Sequence, residues 1–342
     1  EAARGLTVTE AEDIMAFAVV STGSLDPKTI AIEKARAVGR DGILEIIDPQ
    51  VTAASIGGLD ALKTWLGKRR LAFSPEAKAF GLPGPKGVLI LGLPGTGKSL
   101  TAKAASSILG RPILRLDAGK LFAGIVGESE ANLRRAVQTA EAIAPCILWI
   151  DEIEKGLSGS RSSAVTDGGT SARVFGSFIS WMQEKTSPVF VVATANDISQ
   201  LPPELLRKGR FDELFFVDLP DAAERAAIWR IHIAARGRDP DGLDVNAFTK
   251  LSEGFTGSEI EQAVTDALFD CFDAGTELNN AALTGAIDRT VPLSVTMAED
   301  IRALRKWAAG RARSASSNTS PTTSNGCRRI EAGAVTQGDL NV

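Results

Sequence analysis

Short apolar runs alternate with amphipathic stretches over residues 50–220 of the chain. Each run is rich in Ile, Leu, Val or Phe and lacks a regular alternation with polar residues, which is typical of strands buried on both faces. Stretches with a helical period, such as Ser129–Ala142 and Thr170–Gln183, lie between the runs. Strands that alternate with helices predict an α/β fold built on a parallel sheet. The predicted strands are Val88–Leu91, Ile113–Leu116, Ile147–Ile150, Val189–Thr194 and Leu214–Val217.

After residue 220 the strand-like runs stop, and helical patterns follow one another. This change predicts a small helical domain behind the sheet domain. One more helix is expected over Met297–Ala309, whose apolar residues share a face. The helices predicted for the small domain are Ala222–Ala234, Asn246–Leu251, Ser258–Phe272 and Asn279–Arg289.

Several short signals predict where helices begin. A Ser or Thr followed three residues later by Glu has the spacing of a capping box. Asp26-Pro27 combines an N-cap residue with proline at the first helical position, and it predicts a helix to about Val38. The capping-box pairs are Thr7 with Glu10, Ser258 with Glu261, and Thr296 with Glu299.

The pattern as a whole divides the chain into four segments. Residues 1–48 are expected to form a helical N-terminal region, and residues 49–220 an αβα sheet domain. The small helical domain and the C-terminal helix occupy residues 221–313. Residues 314–342 begin with a stretch made almost entirely of Ser, Thr, Asn and Ala. Such a stretch cannot bury enough apolar surface to offset the entropy lost on ordering, so we expect a disordered tail.

Composition narrows the class of protein. A chain of 342 residues suffices for two domains, and 44% apolar with 23% charged residues is ordinary for a soluble protein. The net charge of −4 disfavours bulk binding to nucleic acid or membranes, although a local basic lining stays open. Three scattered cysteines favour a reducing compartment. A single histidine excludes a His-rich metal site. No apolar run reaches the roughly 18 residues of a membrane span.

The most specific motif is a glycine-rich sequence that follows a predicted strand. Residues 92–99 read G-L-P-G-T-G-K-S and match G-x-x-x-x-G-K-[ST] at each fixed position. Glycines let the backbone curl so that successive N–H groups point at phosphate oxygens. Lys98 would reach the β- and γ-phosphates, and the Ser99 hydroxyl would bind Mg²⁺. A phosphate-binding loop must follow a strand and lead into a helix. The predicted strand Val88–Leu91 precedes this motif, and the helical stretch Ser99–Leu109 follows it.

Two adjacent acids end another predicted strand. Asp151 and Glu152 follow Ile147–Ile150 directly, at the edge where parallel sheets bind their ligands. We expect Asp151 to hold Mg²⁺, and Glu152 to orient and deprotonate the attacking water. One acid suffices for the metal, so the pair favours hydrolysis over nucleotide binding alone.

Three further polar residues lie next to the remaining strands. Asn196 follows Val189–Thr194 and could help to position the lytic water, although an Asn after a strand is by itself usually a turn former. Arg207 and Arg210 precede Leu214–Val217. A guanidinium can bind γ-phosphate oxygens bidentately during phosphoryl transfer. Without the other motifs, these arginines would indicate only a basic surface turn.

Taken together, these motifs resemble the AAA+ ATPases, and more narrowly their AAA clade, over roughly residues 50–292. Ile56-Gly57-Gly58-Leu59 resembles the turn beside adenine in that clade, and residues 254–260 resemble its lid motif. The resemblance implies a P-loop NTPase αβα domain, a helical lid, and ATP with Mg²⁺ as ligands. Ser99 and Asp151 would hold the metal. The ATP-binding residues implied are Ile56, Gly57, Pro94, Gly95, Thr96, Gly97, Lys98, Ser99, Leu100, His232, Gly257 and Ser258.

A narrower resemblance is to an AAA family of cyanobacteria and plastids known as a hypothetical chloroplast reading frame. Members of that family usually have a longer N-terminal region than this chain. The expected location is the cytoplasm, or the plastid stroma if the chain comes from a plastid genome. The segments that carry this resemblance are Ile56–Lys86, Gly97–Ala104, Leu121–Glu130, Ala144–Glu154, Thr170–Ala195 and Trp307–Ala315.

The AAA resemblance also implies a ring or spiral, usually of six subunits, in which Arg207 and Arg210 reach the neighbour's γ-phosphate. Residues 124–130 resemble the pore loop that pulls on polypeptide. An aromatic residue usually stands there, but this chain has Ile125 followed by Val126. Because an aliphatic side chain offers less contact area, threading is weak or Phe122 serves instead. A core position for Phe122 stays equally open.

Three functions stay open at this point. The favoured one is an ATP-driven remodeller or unfoldase of an unidentified protein substrate. The second is a nucleotide-gated assembly scaffold that hydrolyses slowly. The third is a nucleic-acid motor or loader, and its candidate contacts are Lys120, Arg134, Arg135, Arg161 and Arg173.

Overall fold

A seven-stranded sheet forms the centre of the larger domain. The structure, a computed structural model, describes residues 8–26, 29–30, 33–34, 44–47, 50–117, 128–156, 168–207 and 209–317. The strands are β1 Leu44–Ile47, β2 Gly87–Gly92, β3 Ile113–Leu116, β4 Cys146–Ile150, β5 Val189–Ala195, β6 Glu213–Val217 and β7 Arg313–Ser314. Their order across the sheet is β1-β3-β4-β5-β2-β6-β7. All neighbouring strands are parallel except β1, which pairs antiparallel with β3.

The helices fall into the sheet domain, the small domain and the two ends of the described chain. They are α1 Val8–Thr22, α2 Asp60–Arg69, α3 Pro75–Ala79, α4 Lys98–Leu109, α5 Glu128–Ile143, α6 Gly168–Glu184, α7 Ala222–Ala235, α8 Val245–Leu251, α9 Gly257–Asp273, α10 Asn280–Arg289, α11 Leu293–Thr296 and α12 Ala298–Ala308.

Helices cover both faces of the sheet, because successive residues of a strand point to opposite sides. Val88 and Ile90 of β2 pack in one apolar cluster with residues of α2 and α4. Leu89 and Leu91 of the same strand pack in a second cluster with residues of α5 and α6. The result is the expected αβα sandwich, in which β2 is buried along its whole length.

The small domain has a separate core made by α7 to α10. Trp229 of α7 is fully buried there, and its Nε1 donates to the Ser252 hydroxyl at 3.0 Å. Thr256 and Glu259 form the capping box that starts α9. The small domain therefore folds around its own apolar centre, and the polar start of α9 stays free to face the sheet domain.

The C-terminal part of the described chain returns to the sheet domain. Leu304 and Trp307 of α12 pack against the cluster under α5 and α6. Arg305 of α12 contacts Asp218 through its Nε at 2.8 Å. The chain then adds β7 beside β6, and Ala315 is completely buried. Residues 313–317 therefore belong to the folded domain.

The predicted strands and helices of residues 88–309 are confirmed with small changes of length. Three expectations were wrong. Leu44–Ile47 is a strand within the segment expected to be helical, because it pairs with β3. Residues 314–317 are ordered, because β7 and Ala315 are hydrogen-bonded to β6. The capping pairs predicted for α9 and α12 do not cap: Thr256 with Glu259 caps α9, and α12 begins without a side-chain cap.

Other expectations lie partly outside the described residues. Thr7 and residues 35–43 are among these, as are residues 318–342 of the expected tail. Asp26 accepts a hydrogen bond from the Thr29 N–H at 2.9 Å, as an N-cap residue would. Among the helices that the structure describes, none is long and apolar enough to cross a membrane.

Candidate functional site

The glycine-rich loop connects β2 to α4. The small domain, called the lid from here on, touches this loop. Gly95 and Gly97 have φ values of 74° and 89°, in the left-handed region that favours glycine. A Cβ on Gly95 would lie 3.0 Å from the Thr256 hydroxyl and 3.1 Å from that of Ser258. The Ser258 N–H donates to the Gly95 carbonyl at 3.1 Å. The N-terminus of α9 therefore lies directly against the loop, and the missing side chain of Gly95 leaves room for that contact.

Lys98 is buried at the first position of α4, with 6% of its surface exposed. Its Nζ donates to the Leu93 carbonyl within the loop. Burial lowers the pKa of Lys98 to about 8, although Glu154, Asp151 and Glu152 oppose the shift. A buried ammonium is suited to bind an anion, because the anion would restore the favourable interactions that burial removes.

Ser99 and Asp151 bring two oxygen ligands together at the carboxyl ends of β2 and β4. The Ser99 hydroxyl donates to Asp151 Oδ1 at 2.8 Å, and the Thr194 hydroxyl donates to the same oxygen at 2.6 Å. Mg²⁺ is usually bound by one or two protein oxygens together with substrate phosphates. The pair fits that requirement. Within the described part of the chain, no group of three or more His, Cys, Asp or Glu residues could hold a metal by itself.

Glu152 is held in place from both sides. Its φ of 49° puts it in the left-handed region, which is uncommon for a residue other than glycine. Its N–H donates to the Thr194 hydroxyl at 2.9 Å. Asn196 Nδ2 donates to Glu152 Oε1 at 3.0 Å, and Lys155 pairs with Oε2. The backbone strain is therefore offset by contacts that aim the carboxylate into the pocket.

A pocket of about 330 Å³ runs from the glycine-rich loop to the lid. Its far end is lined by Ile56, Gly57, His232 and Glu261. Burial lowers the pKa of His232, while Glu261 opposes and Arg236 adds to that shift. Neutral imidazole is thus the favoured form at neutral pH, and it suits contact with the uncharged ring of a nucleotide base.

Every residue predicted from the resemblance to bind ATP lines this one pocket. Glu152 and Asn196 line it too. Asp151 lies beside the pocket, where it accepts the hydrogen bond from the Ser99 hydroxyl. The roles of these residues stay predictions, but the structure brings them together. The ATP-binding residues concerned are Ile56, Gly57, Pro94, Gly95, Thr96, Gly97, Lys98, Ser99, Leu100, His232, Gly257 and Ser258.

Arg207 and Arg210 lie elsewhere in the same chain. They precede β6, which pairs with β2 in the register Val88 to Glu213, so they lie at the amino ends of the strands. The adjacent Asp212 confirms this position, since it accepts hydrogen bonds from the N–H groups at the start of β2. Neither arginine lines the pocket, which is at the carboxyl ends.

Other candidates lie outside the described residues. These include the expected pore-loop residues Phe122, Ile125 and Val126, as well as Lys120 and Arg161. Arg134, Arg135 and Arg173 are exposed on α5 and α6.

Sequence reasoning did not single out Thr194 and Glu154, which complete the site. Glu154 is 4% exposed, and its Oε1 accepts the Asn196 N–H at 2.9 Å. Its Oε2 is buried and has no hydrogen-bond partner among the described residues. Burial raises the pKa of Glu154, and the neighbouring Glu152 adds to the shift. The spacing of three residues from Asp151 was the only signal in the sequence.

Two substitutions separate the acceptor role of Glu154 from its charge. We expect Glu154→Gln to match or exceed the wild-type melting temperature, because the amide oxygen still accepts the Asn196 N–H and no charge is buried. Glu154→Ala leaves that N–H unpaired, which costs about 1–3 kcal/mol. A raised pKa makes ionisation costly, so the advantage of Glu154→Gln should grow as pH rises above 4.5, the ordinary value.

Thermal unfolding from pH 4 to 8 checks this expectation, with the exposed Glu184→Gln as the matched control. Equal destabilisation by Glu154→Gln and Glu154→Ala would contradict the acceptor role.

Comparison with known proteins assigns the chain to a class. Residues 88–219 match the model of AAA, the ATPase family associated with various cellular activities. The chain therefore carries a domain of the AAA class of ATPases, as the motifs indicated. This class binds nucleotides, usually with Mg²⁺.

The chain is also similar over most of its length to algal proteins named "Uncharacterized AAA domain-containing protein ycf46". It is 45% identical over 318 residues to that of Pyropia yezoensis, which covers 92% of this chain and 64% of the relative. It is 44% identical over 321 residues to that of Guillardia theta, covering 92% and 63%. The narrower resemblance is thereby confirmed. The chain spans a little less than two thirds of the length of these relatives.

Proposed function

We propose that this protein hydrolyses ATP in the pocket between the sheet domain and the lid, and that it uses hydrolysis to remodel a protein substrate. The observation that carries the proposal is that three parts meet in one pocket. These parts are the phosphate-binding loop with Lys98, the metal-binding pair Ser99 and Asp151, and the positioned carboxylate Glu152.

The loop and Lys98 would bind the phosphates. The N–H groups of residues 95–99 stand at the N-terminus of α4, where the helix dipole favours an anion. Lys98 would exchange the Leu93 carbonyl for β- and γ-phosphate oxygens. Ser99 and Asp151 would hold Mg²⁺, which when bound neutralises phosphate charge as it develops in the transition state.

Glu152 would act on the attacking water. Asn196 and Lys155 hold its two carboxylate oxygens, so the side chain has little freedom before substrate arrives. A carboxylate held in that way can orient a water and accept its proton as the water oxygen bonds to the γ-phosphorus. The bond from that phosphorus to the bridging oxygen breaks, and ADP leaves. Thr194 links Asp151 and Glu152 and would keep the metal ligand and the base in register.

Arg207 and Arg210 support a site that is shared between chains. They lie at the edge of the sheet formed by the amino ends of the strands, whereas the pocket of their own chain lies at the carboxyl ends. Arg207 is exposed, and the buried Nε of Arg210 has no hydrogen-bond partner among the described residues. A ring or spiral of identical chains would place this edge against a neighbour's pocket, where a guanidinium stabilises the transferred phosphoryl group.

The lid would transmit the nucleotide state. It touches the phosphate-binding loop through Ser258 and Gly95, and it provides His232 at the other end of the pocket. A change at the γ-phosphate therefore alters contacts that set the position of the lid. In a ring, such a movement shifts neighbouring chains and can do work on a bound protein.

The test is to measure mass and ATP turnover of the purified protein, with and without ATP and Mg²⁺, over a range of protein concentrations. We expect ATP to drive a larger assembly and turnover per chain to rise with concentration. A monomer with constant turnover per chain would contradict the shared site. Stimulation by DNA that salt abolishes would favour a nucleic-acid motor, and assembly with little turnover would favour a scaffold.

Mixing two inactive variants tests the arginines. Arg207→Ala chains keep an intact pocket, and Lys98→Ala chains keep an intact Arg207. We expect the mixture to regain part of the activity that each variant lacks, because some pockets then receive an arginine from a neighbour. Arg238→Ala, at a surface ion pair with Glu277, is the control and should keep its activity. No recovery at any mixing ratio would count against an inter-chain arginine.

A further inference from the structure

The segment after α12 is attached to the sheet domain at a place that matters for the pocket. The Ala315 N–H donates to the Phe216 carbonyl of β6 at 2.9 Å. The Ala315 carbonyl accepts the Leu62 N–H of α2 at 3.1 Å. Leu62 lies in the first turn of α2, whose N–H groups have no partner within the helix. The main chain of Ala315 thus joins the sheet edge to the start of the helix that follows the base-binding loop, residues 55–59.

Glu224, at the start of the lid, joins three segments with one carboxylate. Its Oε1 accepts the Leu59 N–H at 3.1 Å and the Ser316 hydroxyl at 2.6 Å. Its Oε2 accepts the Asp221 N–H at 3.1 Å, as part of the capping box of α7. The base-binding loop, the first helix of the lid and the C-terminal segment therefore meet at this side chain.

The conformation of the base-binding loop depends on that meeting point. Gly58 and Leu59 both have positive φ, 77° and 57°. A Cβ on Gly58 would lie 2.3 Å from Glu224 Oε1, so the carboxylate occupies space that only glycine leaves free. A leucine in the left-handed region is strained and persists only where its surroundings hold it. The hydrogen bond from the Leu59 N–H to Glu224 is such a restraint.

One face of the lid helix α7 both contacts the base-binding loop and lines the pocket. Glu224, Ile228 and His232 are spaced four residues apart and therefore share a side of the helix. A Cβ on Gly57 would lie 2.6 Å from Ile228 Cγ1, so the loop and the helix are in close contact there. Ile228 and His232 line the pocket. Any shift at Glu224 would consequently move the surface against which the base rests.

We propose that Glu224 and Ser316 are positioning residues for the nucleotide: together with Ala315 they form a clasp that holds the base-binding loop against the lid. The C-terminal segment is thereby part of the nucleotide site, although it contributes no residue to the pocket. This inference rests on the proposed function, since it assigns the clasp to the same pocket. Loss of the clasp weakens nucleotide binding and leaves the phosphate chemistry intact.

Ser316→Ala tests the clasp in the full chain. The expected result is that the Kd for the fluorescent nucleotide mant-ADP and the KM for ATP rise by about 3- to 10-fold, the size expected for one ordinary hydrogen bond, because Ser316 reaches the base-binding loop indirectly, through Glu224. Turnover at saturating ATP stays near wild type. Ser316→Thr, which keeps the hydroxyl, should restore binding. Ser317→Ala, at the exposed neighbouring residue, is the matched control.

Hydrogen exchange gives a second readout that does not depend on nucleotide. In Ser316→Ala the Leu59 amide should exchange faster, and in Ser317→Ala it should not. Unchanged exchange and unchanged mant-ADP affinity in Ser316→Ala would overturn the clasp. An equal fall in affinity, saturating turnover and melting temperature would also overturn it, because it would show a general structural role. If wild-type protein binds no mant-ADP, the proposed function fails, and the exchange of Leu59 still decides whether the clasp exists.

Discussion

Lys98→Ala is expected to abolish measurable nucleotide binding. Lys98 is buried at the end of the glycine-rich loop and would make charge-assisted hydrogen bonds to two phosphates. Each such bond contributes about 1.5–3 kcal/mol, so the loss should exceed about 100-fold in affinity. The substitution also leaves the Leu93 carbonyl without the Lys98 ammonium. Titration with mant-ADP and mant-ATP, or calorimetry, measures the effect directly.

Lys103→Ala is the matched control for this substitution. Lys103 lies on the same helix, with its Nζ 5.8 Å from the centre of the Trp149 ring, and it does not line the pocket. Its removal should leave affinity within about twofold of wild type, because surface charges contribute little at a distance. Unchanged ATP affinity in Lys98→Ala would refute the assignment of the phosphate-binding loop.

Glu152→Gln is expected to separate binding from hydrolysis. The amide oxygen of Gln can still accept the hydrogen bond from Asn196 Nδ2, so the side chain keeps its position. It cannot accept a proton from water, and loss of a general base typically lowers a rate by about 10²–10⁴. We expect ATP affinity near wild type, turnover reduced by that factor, and assemblies that persist because ATP is not consumed.

Glu277→Gln removes a carboxylate of the same kind from an exposed loop of the lid, where it pairs with Arg238. It should keep both affinity and turnover. Steady-state turnover and single-turnover hydrolysis of both variants distinguish a defect in chemistry from one in product release. Near-normal hydrolysis by Glu152→Gln would remove Glu152 as the base and direct attention to another group near Asn196.

Most of the sheet domain could be predicted from residue patterns. The strands β2, β4 and β5 are buried along their whole length, and β3 and β6 are mostly apolar, so each strand is a short apolar run between helical stretches. The glycine-rich loop was equally clear, because its chemistry requires particular residues at fixed spacing within one short segment. Such features depend on neighbours in the chain, and local patterns therefore suffice.

The strands β1 and β7 could not be predicted in that way. Leu44–Ile47 is a strand because it pairs with Ile113–Leu116, far along the chain. Arg313 and Ser314 are polar, and they join the sheet because β6 offers an open edge and Ala315 fills a buried site. Pairing across many residues leaves no signature in a four-residue or two-residue segment.

The sequence by itself determined the glycine-rich loop, the acids at the end of β4 and the alternation of strands and helices, because these depend on local spacing. Only the tertiary structure decided which side chains hold the acids, how the lid meets Gly95, and that Arg207 lies away from its own pocket. It also showed that Glu224 accepts hydrogen bonds from Ser316, which lies 92 positions after it in the chain, and from Leu59, which lies 165 positions before it. Buried hydrogen bonds and close packing between distant segments depend on the complete fold, and no local pattern specifies them.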